Sequence, residues 1–299
     1  MDALRIEALV KDYGPVRALR GIDLHVRPGE IFGFLGPNGA GKSTAIRIVV
    51  DVIRATSGRV EVFGVDAQRR SVEARRRMGY LPSDPAFPAG MTAHEVFDYF
   101  SAVRGETPDA TYLNGLIERL RLDTSRKVGA LSRGNRQKVG LVLALMHRAP
   151  LIILDEPTTG LDPLIQEEVE VILREVAAEG RTVFFSSHIL AEVESVCSRA
   201  AIVRDGTIVD VFDLAEQRRL APRIVEVEFA VPPPAEAFAS LPAGVRLTRR
   251  DGARVAFETR DGIDGLVKEI ARFEVVDLSV RQPSLEELFI GYYRGEEQA

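Results

Sequence analysis

One cysteine, Cys197, stands in a chain of 299 residues. That excludes an internal disulfide framework and fits a reducing compartment, with Cys197 read as a small buried core residue. Long hydrophobic runs are missing as well. The longest unbroken apolar stretch covers residues 141–146, far short of the roughly 20 residues that span a bilayer. No signal-peptide pattern is expected at the start, where an acid sits at position 2 and no apolar block follows. Basic excess is also lacking, since 39 Lys+Arg face 44 Asp+Glu and leave a net charge of −5. Without a basic stretch to anchor a phosphodiester backbone, this balance argues against a nucleic-acid partner. Neither an internal repeat nor a low-complexity segment is present. What remains is 45% hydrophobic and 28% charged, as in ordinary globular proteins. At roughly 100–200 residues per domain, the length suggests two domains.

Strand and helix patterns alternate as far as about residue 212. Apolar runs at 30–35, 59–63, 79–81, 151–154, 182–185 and 200–203 read as strands, with helical stretches between several of them. That is the pattern of a parallel sheet covered by helices, an α/β domain over residues 1–215. Val96, Phe97, Phe100 and Val103 recur at helical spacing, so residues 92–147 read as a helical insertion. Residues 222–299 form a second, smaller α+β domain in this reading. A strand over 223–230 ends at three prolines, 232–234. A short helix over 235–240 comes next, then strands 245–249 and 253–258 around an Asp251-Gly252 turn. An amphipathic helix over 263–273 and a strand over 275–280 complete the order β-α-β-β-α-β, a split βαβ arrangement. Ser284 is placed to cap a last helix, 285–293.

Gly36-Pro37-Asn38-Gly39-Ala40-Gly41-Lys42-Ser43, followed by Thr44, fits G-x-x-x-x-G-K-[ST] between an apolar strand and a helical stretch. Its four fixed positions would arise by chance in about 1% of chains this long. Glycines let the backbone curl so that its N–H groups converge on a phosphate at the positive end of a helix. Lys42 is placed to reach the β- and γ-phosphates of a nucleotide, and the Ser43 hydroxyl to ligate Mg²⁺. Asp155 and Glu156 follow the apolar run 151–154, at the strand end where open α/β sheets bind ligands. Asp155 is placed to hold Mg²⁺ through water, and Glu156 to polarise a water for attack on the γ-phosphate.

Leu131-Ser132-Arg133-Gly134-Asn135-Arg136-Gln137 begins twenty residues ahead of that second strand (151 − 131). With the phosphate loop, it makes the chain resemble the nucleotide-binding subunit of an ABC transporter over roughly residues 4–212. The resemblance implies an ABC-type P-loop NTPase fold, hydrolysis of ATP with Mg²⁺, and a homodimer that sandwiches two ATP molecules. In the family this signature segment reaches the γ-phosphate held by the partner's phosphate loop. Ser132 and Gly134 would then supply a hydroxyl and a backbone N–H at a helix N-terminus. Tyr13, in Lys11-Asp12-Tyr13-Gly14, resembles the aromatic that stacks on adenine. Asp162, in Thr159-Gly160-Leu161-Asp162, resembles the loop aspartate that crosses the dimer interface. His188, after Ser186-Ser187, resembles the switch histidine that senses the γ-phosphate.

Two departures stand out. Ser83 falls where the family usually has a glutamine touching Mg²⁺ and the attacking water, so either Ser83 acts through water or Asp84 substitutes. In the signature, Arg133 replaces a glycine and Asn135 a glutamine. With no membrane-spanning segment, the resemblance implies a separate permease chain, and a cytoplasmic subunit peripheral at the inner face of the membrane. The variant signature, the loop 158–162 and the terminal run Pro283-Ser284-Leu285-Glu286-Glu287-Leu288-Phe289 resemble bacterial ATPases that export drugs, antibiotics, ions or lipids. A permease helix would enter a groove at roughly residues 81–97, with the turn 84–88 on its rim. The competing class is a soluble ABC-type ATPase acting on ribosomes or DNA. Such proteins commonly carry tandem nucleotide domains or a coiled-coil insertion, whereas this chain has one phosphate loop and no heptad stretch.

Overall fold

A computed structural model of the chain describes residues 1–284 and residue 287; the expected helix 285–293 lies outside the described residues but for Glu287. The chain divides into two compact units, Met1–Asp213 and Leu214–Ala299.

Two sheets build the first unit. One is antiparallel, formed by β1 (Leu4–Tyr13), β2 (Val16–Val26), β4 (Ser57–Val62) and β5 (Val65–Asp66) in the order β2-β1-β4-β5. The other comprises β3 (Ile31–Leu35), β6 (Met78–Leu81), β7 (Leu151–Asp155), β8 (Thr182–Ser187), β9 (Arg199–Arg204) and β10 (Thr207–Asp213). Its order is β10-β9-β3-β8-β7-β6, parallel except for the antiparallel edge strand β10. Every residue of β3, β7 and β8 is buried. Covered on both faces, such strands read as continuous apolar runs rather than alternations.

One expectation needs correction here. The 59–63 run belongs to β4 of the antiparallel sheet, not to the parallel one. Its burial alternates, with Val60 and Val62 inward and Arg59 and Glu61 outward or partly so, as suits a strand covered on one face. The β1–β2 hairpin escaped the pattern reading for a related reason. Ala8 has φ 43°, and the register shifts between Ile6 and Leu9, so a bulge breaks the period of two.

Helices α1 (Lys42–Val49), α2 (Ser71–Arg76), α3 (Ala93–Arg104), α4 (Ala110–Arg119), α5 (Arg133–Leu145), α6 (Pro163–Ala178) and α7 (Leu190–Val196) complete this unit. Of these, α3 to α5 form the helical insertion. A reciprocal cap between Thr92 and Glu95 starts α3, and Asp109 caps α4. Arg119 of α4 bonds Glu168 and Glu175 of α6, tying the insertion to the sheet-covering layer. Cys197 is buried, and burial pushes its thiol pKa well up, which makes it an inert core group.

The second unit begins with α8 (Leu214–Leu220). Four strands, β11 (Arg223–Phe229), β12 (Val245–Asp251), β13 (Arg254–Thr259) and β14 (Val275–Arg281), form an antiparallel sheet in the order β12-β13-β11-β14. Helix α9 (Ile263–Ile270) packs Leu266 and Ile270 onto Val225, Val227 and Phe257. This is the split βαβ strand order with its first helix reduced to a turn. The 235–240 segment closes with two i→i−3 turns, Ala237 N–H to Pro234 O and Ala239 N–H to Glu236 O, and Pro242 leaves it no length to propagate as a helix.

Candidate active site

Strand β3 ends at Leu35, and the chain turns through Gly36–Gly41 into α1. Gly36 passes so close to β9 that a Cβ there would lie 2.2 Å from the Val203 carbonyl oxygen. Gly41 has φ 107°, and a Cβ on it would lie 2.8 Å from the Ala18 oxygen. Backbone N–H of Gly206 donates to Ala40 O at 3.0 Å, anchoring the loop to the β9–β10 turn. Lys42 opens α1 yet is only 6% exposed. Its ammonium donates to Gly36 O at 2.6 Å and Pro37 O at 3.2 Å, and stands 3.5 Å from Glu156 Oε1. Burial pulls the Lys42 pKa down, with Glu156 and Asp155 opposing.

Asp155 and Glu156 leave β7 beside the end of β8. Asp155 is 1% exposed, and Ser186 Oγ donates to its Oδ1 at 2.6 Å. Glu156 adopts φ 54°, left-handed for a residue with a side chain, at a cost of order 1–3 kcal/mol. Three contacts hold it there. Its N–H donates to Ser186 O and Oγ, both at 3.2 Å, and its carbonyl accepts from Gln137 Nε2 at 3.0 Å. Its carboxylate then meets Lys42 on one side and His188 on the other, where Nδ1 donates to Oε2 at 2.7 Å. The result is a chain of three groups, Lys42–Glu156–His188, from three different strand ends.

These groups face a cavity of about 370 Å³, within the roughly 300–1,000 Å³ common for small-molecule sites. Asn38, Gly39, Gly41, Lys42, Ser43 and Thr44 line it from the phosphate loop, with Glu156, His188 and Ser83 opposite. Ala18, Arg133 and Thr159 line it too, and the sequence reading assigned none of them a part there. Other expected residues stand off the cavity. Gly36 and Pro37 serve Lys42 through their carbonyls, and Asp155 lies beneath, against Ser186. Tyr13 is 46% exposed at the end of β1, with the Lys11 ammonium 4.9 Å from its ring centre, and does not line the cavity.

Ser132 caps α5, its Oγ accepting from Asn135 N–H at 3.3 Å. Gly134 follows, packed so that a Cβ would lie 2.4 Å from Gly160 O. Asp162 caps α6, accepting from Ile165 N–H at 3.2 Å with Pro163 at the first helical position. The signature segment and the 158–162 loop therefore pack on each other beside the cavity.

Gln137, the last signature residue, went unassigned in the sequence, because a polar helical residue reads as a surface group until the fold buries it. It is 1% exposed, and its Nε2 donates to Glu156 O and to Pro157 O at 3.2 Å. Gln137→Ala leaves two carbonyls without their donor. The expected loss is about 1–3 kcal/mol of stability, read as a lower melting temperature, together with slower ATP turnover. A variant with wild-type melting and turnover refutes the tie.

The oxygen-bearing residues expected to take a metal are Ser43 and Ser83, which line the cavity, and Asp155, which lies beneath it. Hard oxygens in small number suit Mg²⁺, which keeps several waters and takes its other ligands from phosphate. No group of three or more His, Cys, Asp or Glu side chains forms an all-protein metal cage among the described residues.

Similarity to known proteins agrees with this architecture. The family pattern described as ABC transporter matches residues 19–159. The daunorubicin resistance ATP-binding protein of Streptomyces coeruleorubidus is 33% identical over 96% of this chain and 94% of its own length. The bacitracin transport ATP-binding protein of Bacillus licheniformis is 36% identical over 68% of this chain and 67% of its own. Among solved structures, the ATP-binding subunit of an ABC transporter matches 73% of this chain and 92% of its own with a TM-score of 0.68 at 30% identity. A dimeric ATP-binding cassette bound to ADP and phosphate shares the fold at 21% identity, with a TM-score of 0.65 over 71% of this chain and 98% of its own. With its phosphate loop, buried Asp155 and Lys42–Glu156–His188 chain of contacts, this protein belongs to the ABC transporter family as an ATP-binding, ATP-hydrolysing subunit.

Proposed function

We propose that two copies of this chain close on two ATP molecules and drive a separate membrane permease that exports a drug-like or antibiotic substance, an ion or a lipid. The observation that carries the hydrolytic reading is the Lys42–Glu156–His188 chain across one polar cavity. Lys42 and the loop N–H groups hold the phosphates. Glu156 accepts a proton from the attacking water, and His188 keeps its carboxylate aimed. Ser43, Asp155 and Ser83 would hold Mg²⁺, which when bound neutralises charge on the phosphates. Ser132 and Gly134 of one chain complete the site of the other, with Asp162 along the same interface, and Tyr13 lies against adenine. Closure follows from differential binding, because the contacts to the γ-phosphate exist only in the closed pair.

Export rests on the relatives named for bacitracin transport and daunorubicin resistance. No helix among the described residues is long and apolar enough to cross a membrane, in keeping with a permease on another chain and a peripheral, cytoplasmic position for this one. An apolar hollow of about 490 Å³ supports a docking face. Val50, Val52, Tyr80, Phe100, Val103 and Leu143 line it, beside the expected 81–97 range rather than within it. Val52 and Val103 are exposed there, as apolar surface kept for a partner is. Beneath them the two ring nitrogens of His147 have no hydrogen-bond partner, and burial, with Arg104 nearby, holds the His147 pKa below its ordinary value. A neutral imidazole adds no charge of its own there, and the charge of the hollow comes from Arg75, Arg76 and Arg104, which also line it.

Light scattering on Glu156→Gln tests the pairing. A monomer whose mass doubles only with Mg-ATP is expected, and a mass that ATP leaves unchanged removes ATP-driven closure of the isolated chains.

A further inference from the structure

Strand pairing between β7 and β8 runs out at Asp155 and Ser186. The groups that meet nucleotide lie just past that point, where one backbone bond remains, Glu156 N–H to Ser186 O, and side chains supply the other ties between the two exits. One tie is the Glu156–His188 contact itself, at 2.7 Å. A second comes from Glu192, in the first turn of α7, four residues beyond His188. Thr158 Oγ1 donates to Glu192 Oε1 at 2.5 Å, and Ser187 Oγ donates to Oε2, also at 2.5 Å. Thr158 lies two residues after Glu156, and Ser187 immediately precedes His188. Ser187 is fully buried, and its oxygen accepts from Ile189 N–H at 2.9 Å; of the two acceptors open to its proton, Glu192 Oε2 is much nearer than Ile189 O, which lies 3.4 Å away. The two ties thus close a ring: Glu156, His188, Ser187, Glu192, Thr158 and back through Pro157.

We propose that Glu192 is a positioning residue for ATP hydrolysis, setting the Glu156–His188 pair by clamping Thr158 and Ser187 between its two carboxylate oxygens. The inference rests on the assignment of that pair to the hydrolytic step. Two hydroxyl donors need two acceptors at once, and a carboxylate supplies them with charge-assisted bonds. Glutamine offers one acceptor and an NH₂ group, so it keeps one bond well and the other poorly. Aspartate is a methylene too short to span both. Thr158 begins the 158–162 loop that ends in Asp162, and the clamp therefore passes any displacement of that loop to His188.

The test compares wild type, Glu192→Ala, Glu192→Gln and Thr158→Val by steady-state ATPase kinetics and by the NMR chemical shifts of the His188 imidazole. Glu192→Ala is expected to lower kcat about tenfold or more. KM for ATP should stay within about twofold, since nucleotide contacts remain. The His188 imidazole resonances move, and Glu192→Gln recovers part of both effects. Thr158→Val acts in the same direction, and its effect does not add to that of Glu192→Ala, because both cut one bridge. If Glu192→Ala does not fold, Thr158→Val, which removes one bond at nearly constant volume, carries the same readouts. An unchanged kcat and unchanged His188 resonances, with only a lower melting temperature, overturn the proposal, as does a loss confined to KM. Retained hydrolysis in Glu156→Gln overturns the underlying assignment instead, which keeps the two failures apart.

Discussion

Glu156→Gln retains ATP binding and loses about 10²–10⁴-fold in turnover, the range that a positioned general base contributes. The amide is nearly the same size as the carboxylate. It still sits against His188 and near Lys42, and the backbone contacts that fix Glu156 at φ 54° are untouched. What disappears is the ability to take a proton from water. Single-turnover release of phosphate, set beside equilibrium binding of ATP, separates these two quantities. Turnover close to wild type takes Glu156 out of the hydrolytic step. A large fall in affinity shows that the charge was binding nucleotide rather than activating water.

Lys42→Ala weakens ATP binding itself by about 3 kcal/mol, or roughly a hundredfold in Kd. The ammonium is buried, and burial depresses its pKa, so the structure keeps a desolvated cation next to Gly36 O and Pro37 O. Such a group is most useful where a dense negative charge arrives, and a triphosphate is that charge. Removing it leaves the Glu156 carboxylate without its cation at 3.5 Å and lets it repel phosphate. Isothermal titration with ATP measures the effect, and an unchanged Kd contradicts the phosphate-loop assignment. The two variants differ in kind: one leaves a nucleotide bound and idle, the other leaves the cavity poorly able to hold it.

Much of the parallel sheet was legible because its strands are buried on both faces and so appear as short apolar runs. The runs at 151–154 and 182–185 match β7 and β8 to within two residues. The antiparallel sheet was harder, since half its residues face outward and the bulge at Ala8 breaks the alternation that remains. In the second unit the Asp251-Gly252 turn identified the β12–β13 hairpin from local chemistry alone. The expected helix over 235–240 failed because six residues stopped by Pro242 close too few bonds to offset the cost of starting a helix, and only i→i−3 turns form.

Residues in the phosphate loop are neighbours along the chain, and their geometry is local: strand, glycine turn, helix. Spacing by itself therefore set Lys42 and Ser43 at the head of a helix, where they line the cavity. Lys42, Glu156 and His188 are not neighbours in sequence, and nothing in their spacing says that they touch. The order β3-β8-β7 decided it, by setting three parallel strands side by side with their exits at one edge. Strand order comes from long-range packing of faces that look alike in sequence, each a run of buried apolar residues. The supports from Gln137, Ser186 and Glu192 were hidden for the same reason. A polar side chain reads as a surface group until the fold buries it, and once buried it must find a partner, which here is the backbone or carboxylate that carries the site.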